Sequence, residues 1–177
     1  MQLFSRSRQP GTGTLLLFSA SLFGACLLGI FSRPDNLLAV IWPANALLLG
    51  WLLRQRRLAG VLGWSCAALA YLAADLVTGS SVELTVHMAA ANLAGVAVGY
   101  TLLRHSPHFN RLLLGPASVL MLLLASLAAA WTSALVAMPA TTFLLGAGHG
   151  QALLYWFSAE LVWYMALLPA ILLTSSR

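Results

Sequence analysis

The chain has 177 residues, of which 60% are hydrophobic and only 7% charged. A soluble domain carries about 25% charged residues, so this composition excludes one and reads as an integral membrane protein. The net charge of +5 is carried by arginine alone, dispersed into short loops rather than gathered on one face, which argues against nucleic-acid binding.

A membrane-spanning helix needs about 20 apolar residues, and six such runs follow one another along the chain. The first is Thr14 to Phe31, after a polar start with Arg6 and Arg8. Its exit lacks a small-residue cleavage site, so it does not read as a signal peptide. The second run is Leu37 to Leu53, closed by Arg54-Gln55-Arg56-Arg57. The third is Leu58 to about Ala74, ending at Asp75. The fourth runs from Val82 to Leu103 and meets Arg104-His105. The fifth starts near Pro116, a good first-turn residue, and ends near Met138-Pro139. The sixth is Ala152 to Leu173. The segment Pro139 to Gly150 reads as an outer loop, either a lid over the bundle or an ordinary connection.

Alternation of six spans puts Arg6, Arg8, Arg54, Arg56, Arg57, Arg104, Arg111 and Arg177 on one side and Arg33 alone on the other. The positive-inside rule makes the first side cytoplasmic. The expected architecture is an all-α integral membrane protein, a six-span transmembrane bundle with both termini cytoplasmic. It comprises a cytoplasmic segment over 1–13, the bundle over 14–174 and a cytoplasmic end over 175–177. Small-residue stripes mark close helix contacts: Ser21, Ala25 and Gly29 on the first span, Ala91, Gly95 and Gly99 on the fourth, and Ala125, Ala129, Ser133 and Ala137 on the fifth. They serve packing within one chain or a homodimer. The lipid bilayer is the surrounding partner.

Glu160 is the acidic residue set inside a long apolar run. A carboxylate near the bilayer centre costs roughly 2.5–3.5 kcal/mol on insertion scales, so it must face the bundle interior and find partners. Trp156, Glu160 and Trp163 share one helix face. Rise per residue places Asn45, His87, Asn92 and Glu160 in one polar layer of the outer half of the bilayer. An outward-opening ligand pocket lined by Trp42, Trp156 and Trp163 is the inference. The asparagines also read as interhelical hydrogen-bonding groups, the tryptophans as interfacial anchors, and His87 as solvated. Pro43 and Pro169 kink their helices or free carbonyls. Cys26 and Cys66 read as core thiols. No metal or cofactor motif and no enzyme signature is found: His105 and His108 stand among arginines, across a Ser-Pro break.

Three stretches, in order, resemble the bacterial membrane-associated sensor domain of the first type, the MASE family. They are Ile41 to Arg54 (IWPANALLLGWLLR), Ala89 to Arg104 (AAANLAGVAVGYTLLR) and Tyr155 to Leu173 (YWFSAELVWYMALLPAILL). The chain departs from the family pattern at Ala44-Asn45, where a proline and a glycine are usual, and at Ala159-Glu160, where glycine-aspartate is usual. Members often have about eight spans. The resemblance implies a sensor of the bacterial inner membrane, responding to a small ligand or a proton from the periplasmic side. Its output would be a GGDEF or EAL enzyme of cyclic di-GMP turnover or a histidine kinase, attached beyond Arg177, so that this chain is not itself an enzyme. The alternative is a small transport protein or the substrate-binding subunit of an energy-coupling-factor transporter. An intramembrane enzyme using Glu160 and His87 is a third class.

Overall fold

A computed structural model describes residues 9–33, 41–106, 115–144, 146 and 148–174. Every regular element among them is helical. In chain order they are α1 (Thr12–Phe31), α2 (Ala44–Arg54), a 3₁₀ turn (Arg56–Ala59), α3 (Val61–Val77), α4 (Val82–Arg104), α5 (Pro116–Phe143) and α6 (His149–Leu173).

The helix boundaries have local causes. Ser81 caps α4 by accepting the Leu84 N–H at 3.3 Å, and Glu83 stands in the first turn, where the helix dipole favours an acid. Pro116 occupies the first turn of α5, where its missing N–H costs nothing. Gly79, at φ 90°, takes the left-handed conformation that turns α3 into α4.

Four helices are long and apolar enough to cross a membrane: Thr12–Phe31, Val82–Arg104, Pro116–Phe143 and Gly150–Leu173. The second and third runs form shorter helices, α2 with 11 residues and α3 with 17. The expected second span from Leu37 is corrected here, because α2 starts only at Ala44; residues 37–40 lie outside the described set. The fifth helix corrects the expected break at Met138-Pro139. It runs through Pro139 to Phe143, and α6 starts at His149, so most of the expected Pro139–Gly150 loop is helix. Proline inside an apolar helix is tolerated where neighbouring groups satisfy the freed carbonyl. Pro169 likewise lies inside α6, while Pro43 is the N-cap of α2.

Side chains sort as a bilayer requires. Leu17 and Phe31 on α1, Leu69 on α3, Leu120 and Leu124 on α5, and Leu154 and Val162 on α6 are exposed on the outside of the bundle. So large an apolar surface suits lipid and not water. The interior of the α4–α5 contact is instead built from small residues. Gly95 packs so tightly on α5 that an added Cβ would stand 2.7 Å from the Ala129 carbonyl oxygen and 2.8 Å from Ser133 Cβ. Gly99 meets Leu49 of α2 and Ala129 in the same way, at 3.1 and 3.2 Å. The stripes of α4 and α5 are thus consumed within the chain, which removes them as surfaces for the homodimer considered from the sequence.

The two ends of the bundle differ. At one, Arg54 of α2 reaches the C-terminus of α6, its Nη1 donating to the Ile171 carbonyl and the Thr174 hydroxyl, each at 3.2 Å. Arg56, Arg57 and Arg104 belong to the same end, called here the arginine end. At the far end Arg33, after α1, pairs with Asp75 of α3 at 3.7 Å. The Arg54 contacts are exposed, and a net hydrogen bond contributes about 0.5–1.5 kcal/mol. Arg54→Ala is therefore expected to leave the bundle folded and to raise amide hydrogen exchange at residues 171–174 selectively; unchanged exchange there would show that the clamp does not hold.

Candidate functional site

The interior polar groups meet at Glu160. This residue is 2% exposed, near the middle of α6. Its Oε1 accepts from the Asn45 amide and from Ser133 Oγ, the latter at 3.0 Å. The Asn45 amide also donates to Asn92 Oδ1 at 2.9 Å, and the Asn45 carbonyl oxygen accepts from the Tyr71 hydroxyl. Trp156, one turn before Glu160, donates from Nε1 to Ser133 Oγ at 2.8 Å and lies beside the carboxyl. The node therefore ties together α2 through Asn45, α3 through Tyr71, α4 through Asn92, α5 through Ser133 and α6 through Glu160.

Each helix positions its group for a reason readable in the chain. Asn45 lies in the first turn of α2, whose other buried positions are alanine, leucine and Gly50. Asn92 belongs to the same buried face of α4 as Gly95 and Gly99, so close packing brings it against α2 and α5. Ser133 belongs to the alanine stripe of α5, where its hydroxyl is the polar member. Interhelical hydrogen bonds in a membrane are worth roughly 0.6–2 kcal/mol each. A network of five holds the helices in register more than it adds net stability.

Seven side-chain oxygens and nitrogens are buried without a hydrogen-bond partner among the described residues: Glu160 Oε2, Tyr164 Oη, Thr85 Oγ1, Ser126 Oγ, Thr142 Oγ1, Trp42 Nε1 and Arg33 Nε. Tyr164 is one turn beyond Glu160 on the same helix face and is fully buried. Glu160 and Tyr164 thus present two unsatisfied oxygens on adjacent turns.

The seven residues singled out in the sequence divide. Asn45, Asn92, Glu160 and Trp156 come together. Trp42 is buried one turn before Asn45, with its ring against Gly29 of α1. Trp163 is half-buried against the core. Trp42 and Trp156 thus have different neighbours, Gly29 on α1 and Ser133 on α5. His87 stands apart from the polar layer expected for it. It is exposed, and Nδ1 is 2.8 Å from the Glu83 carbonyl oxygen one turn back on its own helix. Five helical residues separate it from Asn92, which turns it away from the face that carries Asn92.

Tyr71, Ser133 and Tyr164 were not among the sequence-level candidates. A usable signal existed for the first: Tyr71 and Asp75 stand one turn apart on an otherwise apolar helix, and both are buried. Ser133 gave a weaker one, a hydroxyl in an alanine stripe. Among the described residues no group of three or more His, Cys, Asp or Glu side chains is placed to hold a metal ion. Comparison of the chain with protein-family profiles, with curated proteins and with solved structures finds no match in any of the three.

Proposed function

We propose that this chain is the sensory module of a bacterial signalling protein. It would cross the inner membrane six times with both ends in the cytoplasm, and pass a signal received at Glu160 to a cytoplasmic output of the cyclic di-GMP or histidine-kinase kind. The observation that carries this reading is the double attachment of α2 to α6. Asn45, in the first turn of α2, holds Glu160; Arg54, in its last turn, holds the C-terminus of α6. Glu160 and Ile171 are separated by about 16 Å of helix. A change at the carboxyl therefore acts on a rigid pair of helices whose far point is the end of α6, where an output module would attach.

The eight-to-one arginine distribution supports the topology. The resemblance of the three stretches around Asn45, Asn92 and Glu160 to the MASE family supports the sensor class, since those residues are the ones that meet. Signalling in such a bundle requires two arrangements with different affinity for the stimulus. The test is Glu160→Gln in the full chain, with a diguanylate cyclase reporter joined after Arg177. Glutamine keeps size and hydrogen bonding but has no charged form. The expected result is a folded protein whose cyclic di-GMP output no longer changes with the external stimulus. A normal response across pH and ligand concentration would reduce Glu160 to structural glue.

A further inference from the structure

The buried titratable groups are arranged with a direction. From the far end inward they are Asp75 at the end of α3, Tyr71 one turn below it, then the Glu160 carboxyl, reached from Tyr71 through Asn45. The Tyr71 hydroxyl donates to the Asn45 carbonyl oxygen, and the Asn45 amide donates to Glu160. The mouth of this file is the Arg33–Asp75 pair, in which the arginine side chain is 33% exposed and so reachable by water. Beyond Tyr164 the character changes. Toward the arginine end the buried side chains include Leu48, Leu49 and Leu52 of α2, Leu103 of α4 and Leu168 of α6, interrupted by the hydroxyls of Ser118 and Ser126 on α5 and of Ser106 after α4. No titratable group is buried on that side among the described residues.

The groups facing Glu160 can be named helix by helix. Tyr71 on α3 and Tyr164 on α6 titrate; α2, α4 and α5 offer Asn45, Asn92 and Ser133, which do not, and the buried Cys26 of α1 makes no hydrogen bond to the node. The described charged and imidazole-bearing residues of these helices stand at helix ends or on exposed turns: Arg54, Asp75, Glu83, His87 and Arg104. Among the described residues no cation pairs with the Glu160 carboxyl. Oε1 receives two donors and Oε2 none. A metal ion would need several oxygens turned toward it, whereas the Asn45 amide points its N–H groups into the node. An amine ligand would need room, and Asn45, Tyr71 and Asn92 are each 1% exposed in close contact. A proton needs neither.

We infer that Glu160 Oε2 is a one-sided proton-binding site, loaded from the face of the membrane at Arg33 and Asp75 along the Asp75–Tyr71–Asn45 side of the node and closed toward the arginine end mainly by leucine. Loading transfers H⁺ from water at that face to Oε2, turning a carboxylate into a neutral carboxylic acid; unloading returns it by the same route. This rests on reading the node as the sensing site and specifies its stimulus as acid on one face.

The experiment is infrared spectroscopy of the full chain in lipid vesicles, its orientation established by trypsin cleavage at Arg54 to Arg57. The band of the protonated carboxyl is assigned by its loss in Glu160→Gln. It is expected to respond when the pH is stepped on the Asp75 face and to stay constant when it is stepped on the arginine face. Asp75→Asn and Arg33→Gln are each expected to slow that response, and Asp75→Glu to restore it. A band insensitive to pH on both faces overturns the site. Equal response to both faces overturns its sidedness. Unchanged rates in both Asp75→Asn and Arg33→Gln overturn the route. The sensory reading fails separately: a titrating band with a Glu160→Gln reporter that responds normally leaves the proton site standing and removes its signalling role.

Discussion

Asn45→Leu is expected to be the most damaging single change at the node. Leucine has the branching and heavy-atom count of asparagine but is bulkier, so no cavity forms and a modest overpacking cost adds to the polar loss. The Asn45 amide donates to both Glu160 and Asn92, and its oxygen accepts from Tyr71. Removing it leaves the Tyr71 hydroxyl and Asn92 Oδ1 buried without those partners, and Glu160 Oε1 with Ser133 alone. Each orphaned buried group costs about 1–3 kcal/mol. The lipid-embedded unfolded state finds partners of its own, which lowers the total. A loss of at least about 2 kcal/mol is expected in denaturant titrations of the detergent-solubilised chain. The pairing is checked with a double-mutant cycle. Asn92→Leu in the Asn45→Leu background removes one of the orphans, so the double variant should be less destabilised than the sum of the singles. Strict additivity would mean that the two asparagines do not act together.

Gly95→Leu is the second large effect, and it arises from shape. The new side chain would begin 2.7 Å from a backbone oxygen of α5 and 2.8 Å from Ser133 Cβ. A carbonyl oxygen in a helix cannot swing aside as the end of a flexible side chain can, so α4 and α5 must separate. Overpacking of this kind costs about 1–3 kcal/mol, occasionally more. It also reaches the site, because Ser133 relays the Trp156 N–H to Glu160. The expected outcome is a lowered Tm together with altered Trp156 fluorescence. Gly24→Leu is the control: an added Cβ at Gly24 meets nothing within 4 Å, so its Tm should be unchanged or slightly raised through better helix propensity. Equal Tm values for the two variants would refute the close α4–α5 contact.

The apolar helices, the helical content and the inward placement of Glu160 were legible in the chain because they depend on local quantities. Hydrophobicity over a window decides what can be buried in lipid. A lone carboxyl in such a window must turn inward, whatever the arrangement of the other helices. The choice of Asn45 and Asn92 as companions followed from rise per residue, which gives depth. Depth alone also put His87 in the same layer, and there it misled: position along a helix says nothing about azimuth, and His87 faces away from the side that α4 buries.

What only the tertiary structure decided depends on which faces meet. Ser133 reads as one member of a small-residue stripe until α5 packs on α6 and its hydroxyl falls between an indole and a carboxyl. Tyr71 reads as the end of a span until α3 brings its hydroxyl to Asn45. The continuation of α5 through Pro139 was hidden for a related reason, since local propensity disfavours proline in a helix while packing against α4 and α6 favours keeping the helix whole. The sequence by itself determined that this chain has an apolar exterior and one costly carboxyl to place. The packing of small residues at Gly95 and Gly99 brought α2, α4 and α5 close enough for that carboxyl to find its donors, because hydrogen bonds of 3 Å require backbones that can approach each other.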